Sequence, residues 1–104
     1  MQVLVPGHQF RLDNVVRPDQ PGQILVFVNN EFADDDLSRT VNKADGTTLD
    51  EVISAAIERS RLLNKRTPCR ENSIVLTKLE EAQLWLRKRA ADCKAPSLEA
   101  NPRS

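Results

Sequence analysis

The sequence predicts an α+β protein in which a small N-terminal antiparallel β-sheet of two to three strands precedes an antiparallel hairpin of two helices. Two observations lead to this fold class. Short apolar runs rich in β-branched residues, separated by turn-forming residues, occupy the first 45 residues. From residue 48 onward the apolar residues instead recur every three or four positions, and no glycine interrupts them.

The N-terminal part favours strands over residues 9–16, 23–29 and 38–42. The second of these, QILVFVN, gives the clearest signal because Pro21-Gly22 and Asn29-Asn30 bound it. The run EFADDD, residues 31–36, is typical of a solvated turn. Because a sheet of only two or three short strands is not stable by itself, we expect it to lie against a helix.

The first helix is predicted to begin near Leu49 and to end near Asn64. Thr48 and Glu51 have the spacing of a capping box, and acidic residues in the first turn favour the positive end of the helix dipole. The apolar stripe expected to pack comprises Leu49, Val52, Ile53, Ala56, Ser60 and Leu63.

The second helix is predicted over residues 68–93, with Thr67 as its N-cap and Pro68 at its first position. The line expected to face the first helix comprises Val75, Leu79, Ala82, Leu86 and Cys93. The apolar residues off this line are Ile74, Leu76, Leu84 and Trp85. One partner helix cannot cover so wide an arc, so an exposed stripe with Leu84 and Trp85 predicts a subunit interface and hence an oligomer.

We interpret residues 1–95 as a single domain, with the β-sheet region at 1–45 and the helical hairpin at 48–95. The last segment, PSLEANPRS, contains proline and few apolar residues, which predicts a mobile tail over residues 96–104. Cys69 and Cys93 lie near opposite ends of one predicted helix, so both are expected to be free thiols.

The charge balance argues against several classes of partner. Fifteen basic and fifteen acidic residues give a net charge of zero, so the chain lacks the one-signed field of a non-specific nucleic-acid or membrane binder. No apolar run approaches the roughly 20 residues of a membrane span, and the start lacks the pattern of a signal peptide. We therefore expect no nucleic-acid partner, no membrane and a cytoplasmic location.

The usual catalytic and metal-binding patterns are missing from the sequence. His8 is the only histidine, the two cysteines have no zinc spacing, and the three glycines form no phosphate-binding loop. The sequence thus predicts neither an enzyme nor a cofactor nor a metal site. Polar residues suited to phosphate or base recognition remain on the second helix, among them Arg70, Asn72 and Arg89, although such residues often only form a solvated face.

Four motifs in the C-terminal half carry a resemblance to a known family. They are DGTT at residues 45–48, CREN at 69–72, TKLEEA at 77–82 and WLRKRAAD at 85–92. Together they resemble the helical hairpin of the phage nucleotide-sponge proteins that defeat Thoeris and CBASS immunity, of the Thoeris anti-defence protein one and anti-CBASS protein two type. The Thoeris anti-defence branch is the most similar, and the match covers about half of the chain.

The resemblance implies a non-catalytic protein that captures a cyclic nucleotide or glycocyclic ADP-ribose signal in an infected bacterial host without degrading it. Members of this branch assemble as homo-oligomers, either dimers or hexamers built from dimers, with ligand pockets between subunits. The residues alone leave an alternative open, a helical-hairpin oligomer that acts through protein–protein interaction.

The resemblance also implies site residues, and this chain departs from the family at some of them. Asn72 matches a position that contacts the signal, and Arg89 matches the first of two phosphate-binding arginines. Cys93 stands where the second arginine is expected, and Leu63 lies in the region where the family has an aromatic residue. We add Arg70, which can compensate for the missing arginine, and Thr48 of the DGTT motif. The change at Cys93 implies a different ligand or a displaced phosphate contact.

Overall fold

The computed structural model describes residues 1–92, which form five strands followed by two helices. Two compact units divide the chain, one from Met1 to Thr48 that contains the strands and one that begins at Leu49 and contains the helices. The predicted fold class is confirmed, except that the strands form two small antiparallel sheets where one was expected. Cys93 and the tail predicted over residues 96–104 lie outside the described residues.

The first sheet is an antiparallel meander of β1 (Gln2–Val5), β2 (Gln9–Asp13) and β3 (Pro21–Val26). A type II turn joins β1 to β2, because Pro6 precedes Gly7 with φ 75° and the His8 N–H donates to the Val5 carbonyl at 2.9 Å. The sequence-based prediction missed β1, whose apolar residues do not alternate with polar ones. It also extended β2 three residues beyond Asp13.

The second sheet pairs β4 (Asn29–Phe32) with β5 (Thr40–Ala44). Asn30 of β4 is only 2% exposed, and its Oδ1 accepts a hydrogen bond of 2.9 Å from Nδ2 of Asn42 in β5. The sequence analysis instead read Asn29-Asn30 as the end of a strand and residues 31–36 as a turn. This strand was missed because asparagine is typical of turns, so two consecutive asparagines favour the prediction of a turn.

Gly46 does more than interrupt the strand pattern. Next to it, the Thr47 N–H donates to the Val26 carbonyl and the Thr47 carbonyl accepts from the Val28 N–H, each at 2.8 Å. A Cβ atom on Gly46 would lie 2.5 Å from the backbone carbon of Phe27. Glycine is thus required for this close approach of two backbone segments. Phe27 also packs edge-to-face on Phe10, with ring centroids 6.0 Å apart.

The second unit is an antiparallel pair of helices, α1 (Leu49–Arg66) and α2 (Arg70–Asp92). Cys69, not Thr67, caps α2: its carbonyl accepts the Ser73 N–H at 3.1 Å and its Sγ accepts the Asn72 N–H at 3.4 Å. The Thr67 N–H still bonds to the Leu63 carbonyl at 2.9 Å and so completes the last turn of α1. Neither described helix is long and apolar enough to cross a membrane.

The seam between the helices matches the predicted apolar lines only in part. The predicted positions that are half-buried are Val52, Ile53, Ala56 and Ser60 of α1 and Leu79 and Leu86 of α2. On α1 the buried residue is Ile57, which the predicted stripe omitted, whereas Leu49 and Leu63 are each 41% exposed. On α2 Val75 and Ala82 are exposed. The less exposed line of α2 comprises Asn72, Leu76, Leu79, Gln83 and Leu86. The predicted line on α2 differs from this one because it counted only apolar residues, while two of the seam positions are the amides Asn72 and Gln83.

Candidate ligand-binding site

A polar cluster ties α1 to α2 at the open end of the hairpin, where α1 begins. Nε2 of Gln83 lies 2.7 Å from Oδ1 of Asp50 and 2.7 Å from Oγ of Ser54. Nε of Arg87 lies 3.8 Å from the other oxygen of Asp50. Because these contacts join residues about 30 positions apart, they fix the register of one helix against the other.

Amide side chains also hold the turn end of the hairpin, where α1 passes into α2. Nδ2 of Asn72 donates to the Thr67 carbonyl at 2.8 Å, and Nδ2 of Asn64 lies 3.4 Å from Oγ of Ser73. Oδ1 of Asn64 is buried and has no hydrogen-bond partner among the described residues. Asn72, a predicted ligand residue, therefore has a structural role in this chain, since it satisfies a carbonyl at the end of α1.

The cations of the hairpin fall into two groups. Those with an acidic partner are Arg61 with Glu58 and Glu80, Lys78 with Glu81, Arg87 with Asp50, and Lys88 with Asp92. The exposed cations that form no ion pair with any residue in 1–92 are Arg59, Lys65, Arg66, Arg70 and Arg89, and only Arg70 and Arg89 among them are predicted site residues. In the run Arg87-Lys88-Arg89, only Arg89 thus has no acidic partner within residues 1–92.

The structure places the predicted site residues at two ends of the hairpin. Leu63, Arg70 and Asn72 lie at the turn end, whereas Arg89 lies near the end of α2 and Thr48 immediately precedes α1. Asn72 and Arg89 are 17 positions apart in one continuous helix, which corresponds to about 25 Å. One hairpin therefore does not bring both of them to a single small ligand. Cys93, the remaining predicted position, is outside residues 1–92.

Sequence reasoning missed the polar residues that organise the hairpin, namely Asp50, Ser54 and Gln83. The signal was present, because positions 72, 76, 79, 83 and 86 alternate steps of four and three. Including asparagine and glutamine as seam residues would have found it. No group of three or more His, Cys, Asp or Glu residues within 1–92 is arranged to hold a metal ion.

Comparison with known proteins assigns the chain to a family. The sequence pattern of the Acb2/Tad1 hairpin domain matches residues 25–91. A relative named Thoeris anti-defense 1, from Bacillus phage SBSphiJ7, is 38% identical over 61 residues, which is 58% of this chain and 43% of the relative. The match thus spans less than half of that protein's length. No solved structure matches the chain significantly. Because the family pattern covers more than half of the chain, this protein belongs to the Acb2/Tad1 hairpin-domain family.

Proposed function

We propose that the protein is a phage anti-defence sponge that sequesters a cyclic nucleotide or cyclic ADP-ribose signal of Thoeris or CBASS immunity without degrading it. It acts in the cytoplasm of the infected bacterium. The observation that carries the proposal is the family match over residues 25–91, together with the similarity to Thoeris anti-defense 1. Sequestration requires tight binding by a pre-organised site and no turnover.

The unpaired arginines support a phosphate-containing ligand. A guanidinium binds phosphate oxygens through parallel hydrogen bonds, and these bonds are strengthened by opposite charge. Arg87 is engaged with Asp50 and Lys88 with Asp92, so they are less available for such binding than Arg89. Arg70 is also exposed and forms no ion pair within residues 1–92, at the other end of α2.

The separation of the candidate residues supports a pocket formed by more than one copy. Along α2, Asn72 lies about 25 Å and Arg70 about 28 Å from Arg89, which is too far for one small ligand. A homo-oligomer, either a dimer or a hexamer built from dimers, supplies both sets of residues at each pocket. Cys93 provides no guanidinium where the resemblance implies one, so Arg70 from a neighbouring copy is our candidate for the second phosphate contact.

Binding to a nucleotide panel tests this function. Glycocyclic ADP-ribose isomers and cyclic di- and trinucleotides are each titrated into the protein in a calorimeter. The bound compound is then released by denaturing the protein and identified by mass spectrometry. We expect one compound to bind and to be recovered intact. Arg89→Ala should weaken binding about 30-fold or more, because truncating one partner of a charged pair costs about 2 kcal/mol or more.

The matched control is Arg59→Ala, which removes another exposed arginine without an ion pair in residues 1–92 but lies outside the candidate set. It should leave the affinity unchanged. If no compound in the panel binds the natural protein, or if the recovered compound is degraded, the sponge function is wrong.

A second candidate function is a protein-binding helical hairpin. The observation that favours it is the exposure of Ile74, Leu84 and Trp85 on α2. This function predicts a protein partner that is retained when no nucleotide binds, and a defect in partner binding after Leu84→Ala with no effect of Arg89→Ala.

A further inference from the structure

The second half of α1 and the turn that follows it form a strongly basic segment in a chain whose net charge is zero. Residues 59–70 contain five basic side chains and no acidic one. One of the five, Arg61, is paired: its Nη1 lies 2.9 Å from Oε1 of Glu58 and its Nη2 lies 3.4 Å from Oε2 of Glu80. The other four are exposed and have no acidic partner within residues 1–92, namely Arg59, Lys65, Arg66 and Arg70. The segment therefore presents an excess of positive charge that the described part of the chain does not neutralise.

Helix stability accounts for only part of this excess. Cations in the last turn of a helix interact favourably with its negative end, which explains Lys65 and Arg66. Arg59 lies about two turns before the end of α1, beyond the reach of that effect. Arg70 begins α2, where the helix dipole disfavours a cation. Arg61 and Lys65 are four positions apart, a spacing at which like charges destabilise a helix. The excess of charge thus indicates a contact with a molecule other than this hairpin.

Two of these arginines flank an apolar side chain on the outer face of α1. Positions at steps of four, three and four share one face of a helix, and here they are Ala55, Arg59, Leu62 and Arg66. Ile57, the buried residue of α1, lies on the opposite side of the helix. All four residues are exposed, and Leu62 is 37% exposed. We call these four residues the basic face of α1.

The composition of the basic face distinguishes between classes of acidic partner. A surface that binds single-stranded nucleic acid combines cations with aromatic side chains on which bases stack, and residues 55–66 contain no aromatic residue. Leu62 instead favours an apolar contact that removes it from water, which a sugar-phosphate backbone does not offer. A helix that carries acidic residues on either side of an apolar stripe offers both contacts, as in paired helices whose charged residues flank an apolar seam.

We propose that the basic face of α1 docks an acidic amphipathic helix of another protein. The apolar residues of that helix pack on Ala55 and Leu62, and its carboxylates pair with Arg59 and Arg66. The two arginines are seven positions apart, which is about 10 Å along the axis, so carboxylates one heptad apart on the partner match them. Arginine suits this role because its planar guanidinium binds a carboxylate through two parallel hydrogen bonds.

This docking goes beyond the proposed capture of a signal and uses different residues. No predicted ligand residue belongs to the basic face, and Arg70, Asn72 and Arg89 all lie on α2. The attraction between the basic face and an acidic helix requires no nucleotide. A protein partner and a captured signal are therefore bound by separate parts of the hairpin, and each is tested without the other.

Peptide binding to the nucleotide-free full chain tests the docking. The probe is a fluorescent peptide that repeats the heptad LEELAEE, which places leucines at alternating steps of three and four among glutamates. Its dissociation constant is measured by fluorescence anisotropy, and we expect saturable binding that weakens as salt is added. Arg59→Glu combined with Arg66→Glu should weaken binding about tenfold or more.

The matched control is Arg17→Glu combined with Lys43→Glu, which makes the same change of charge at two exposed cations of the sheet unit. It should leave the affinity for the peptide unchanged. Circular dichroism checks that each variant keeps its helices. Leu62→Ala tests the apolar contact without a change of charge, and it should weaken binding of the peptide about threefold or more.

Three results would overturn the proposal. The first is that the peptide does not bind, or that it binds the Arg59→Glu, Arg66→Glu double variant as it binds the natural protein. The second is that a fluorescent oligothymidylate binds more tightly than the peptide, which would make the face a nucleic-acid surface. The third is that the double variant sediments as a smaller assembly without peptide, which would show that a second copy covers the face. Because no nucleotide signal is present, these results are independent of the sponge function.

Discussion

The two compact units of the protein use polar side chains differently. In the helical unit, the Gln83 contacts join residues 33 and 29 positions apart, from one helix to the other. In the sheet unit, the buried Asn30 pairs with Asn42 on the adjacent strand, and the loop contacts of Asp36 reach only two residues. The hairpin therefore depends on long-range polar contacts for its register, whereas the sheet unit depends on turns and on close backbone approaches such as that at Gly46.

The largest expected effect is at the apolar centre of the hairpin. Ile57→Ala removes the buried residue of α1, which is 4% exposed, and should lower the free energy of unfolding by about 2–5 kcal/mol. Urea denaturation followed by circular dichroism measures this loss. Leu63→Ala is the control, because Leu63 is 41% exposed and its truncation should cost about 0.5 kcal/mol. Equal losses for the two variants would show that the seam does not lie at Ile57.

A smaller effect is expected for the polar contact that joins the helices. Gln83→Ala leaves the Ser54 hydroxyl and one oxygen of Asp50 without their donor, which should cost about 1–3 kcal/mol. The same denaturation experiment measures it, with Thr77→Ala as an exposed control on the same helix. If Gln83→Ala costs no more than Thr77→Ala, the hairpin does not rely on this polar cluster for its stability.

The smallest effect is expected in the loop between β4 and β5. The Ser38 hydroxyl and the Ser38 N–H both donate to Oδ1 of Asp36, at 2.5 and 2.9 Å, and these bonds lower the pKa of Asp36 below its ordinary value of 3.8. A lowered pKa in the folded state means that ionised Asp36 stabilises the fold. This contribution is complete above pH 3.8 and is lost as the pH falls through the folded-state pKa.

Asp36→Ala therefore should be less stable than the natural protein at neutral pH, and the difference should shrink as the pH falls below 3.8. Denaturation midpoints measured over a pH series check this. A difference that stays constant with pH would mean that the Ser38 contacts do not depend on the charge of Asp36.

Much of the hairpin could be predicted from the sequence because its signals are local. Both helices were indicated by apolar residues that recur every three or four positions, by acidic residues in the first turn and by the absence of glycine. The first helix, α1, begins at Leu49 as predicted. The face of α2 was predicted only in part: Leu79 and Leu86 lie in the seam as expected, but Asn72 and Gln83 occupy seam positions that an apolar count excludes. In the sheet unit, β4 was missed because its Asn29-Asn30 pair resembles a turn until Asn42 is placed opposite Asn30.

The candidate site shows the same division. Motifs in the sequence led to the family and to Asn72 and Arg89. A motif consists of residue types at a fixed spacing, so it can be recognised along the chain without a structure. They did not reveal that Asn72 donates to the Thr67 carbonyl, or that Arg87 and Lys88 have acidic partners while Arg89 has none within residues 1–92. Those properties depend on which residue lies within about 3 to 4 Å, and the sequence does not contain that information.

The sequence by itself determined the fold class, the two helices and the family, because each of these is a pattern along one chain. The tertiary structure decided which side of α2 faces α1 and which side remains exposed. The physical reason is that burial is a property of the packed hairpin: Gln83 is held in the seam by Asp50 and Ser54, and the opposite face with Trp85 is consequently left exposed.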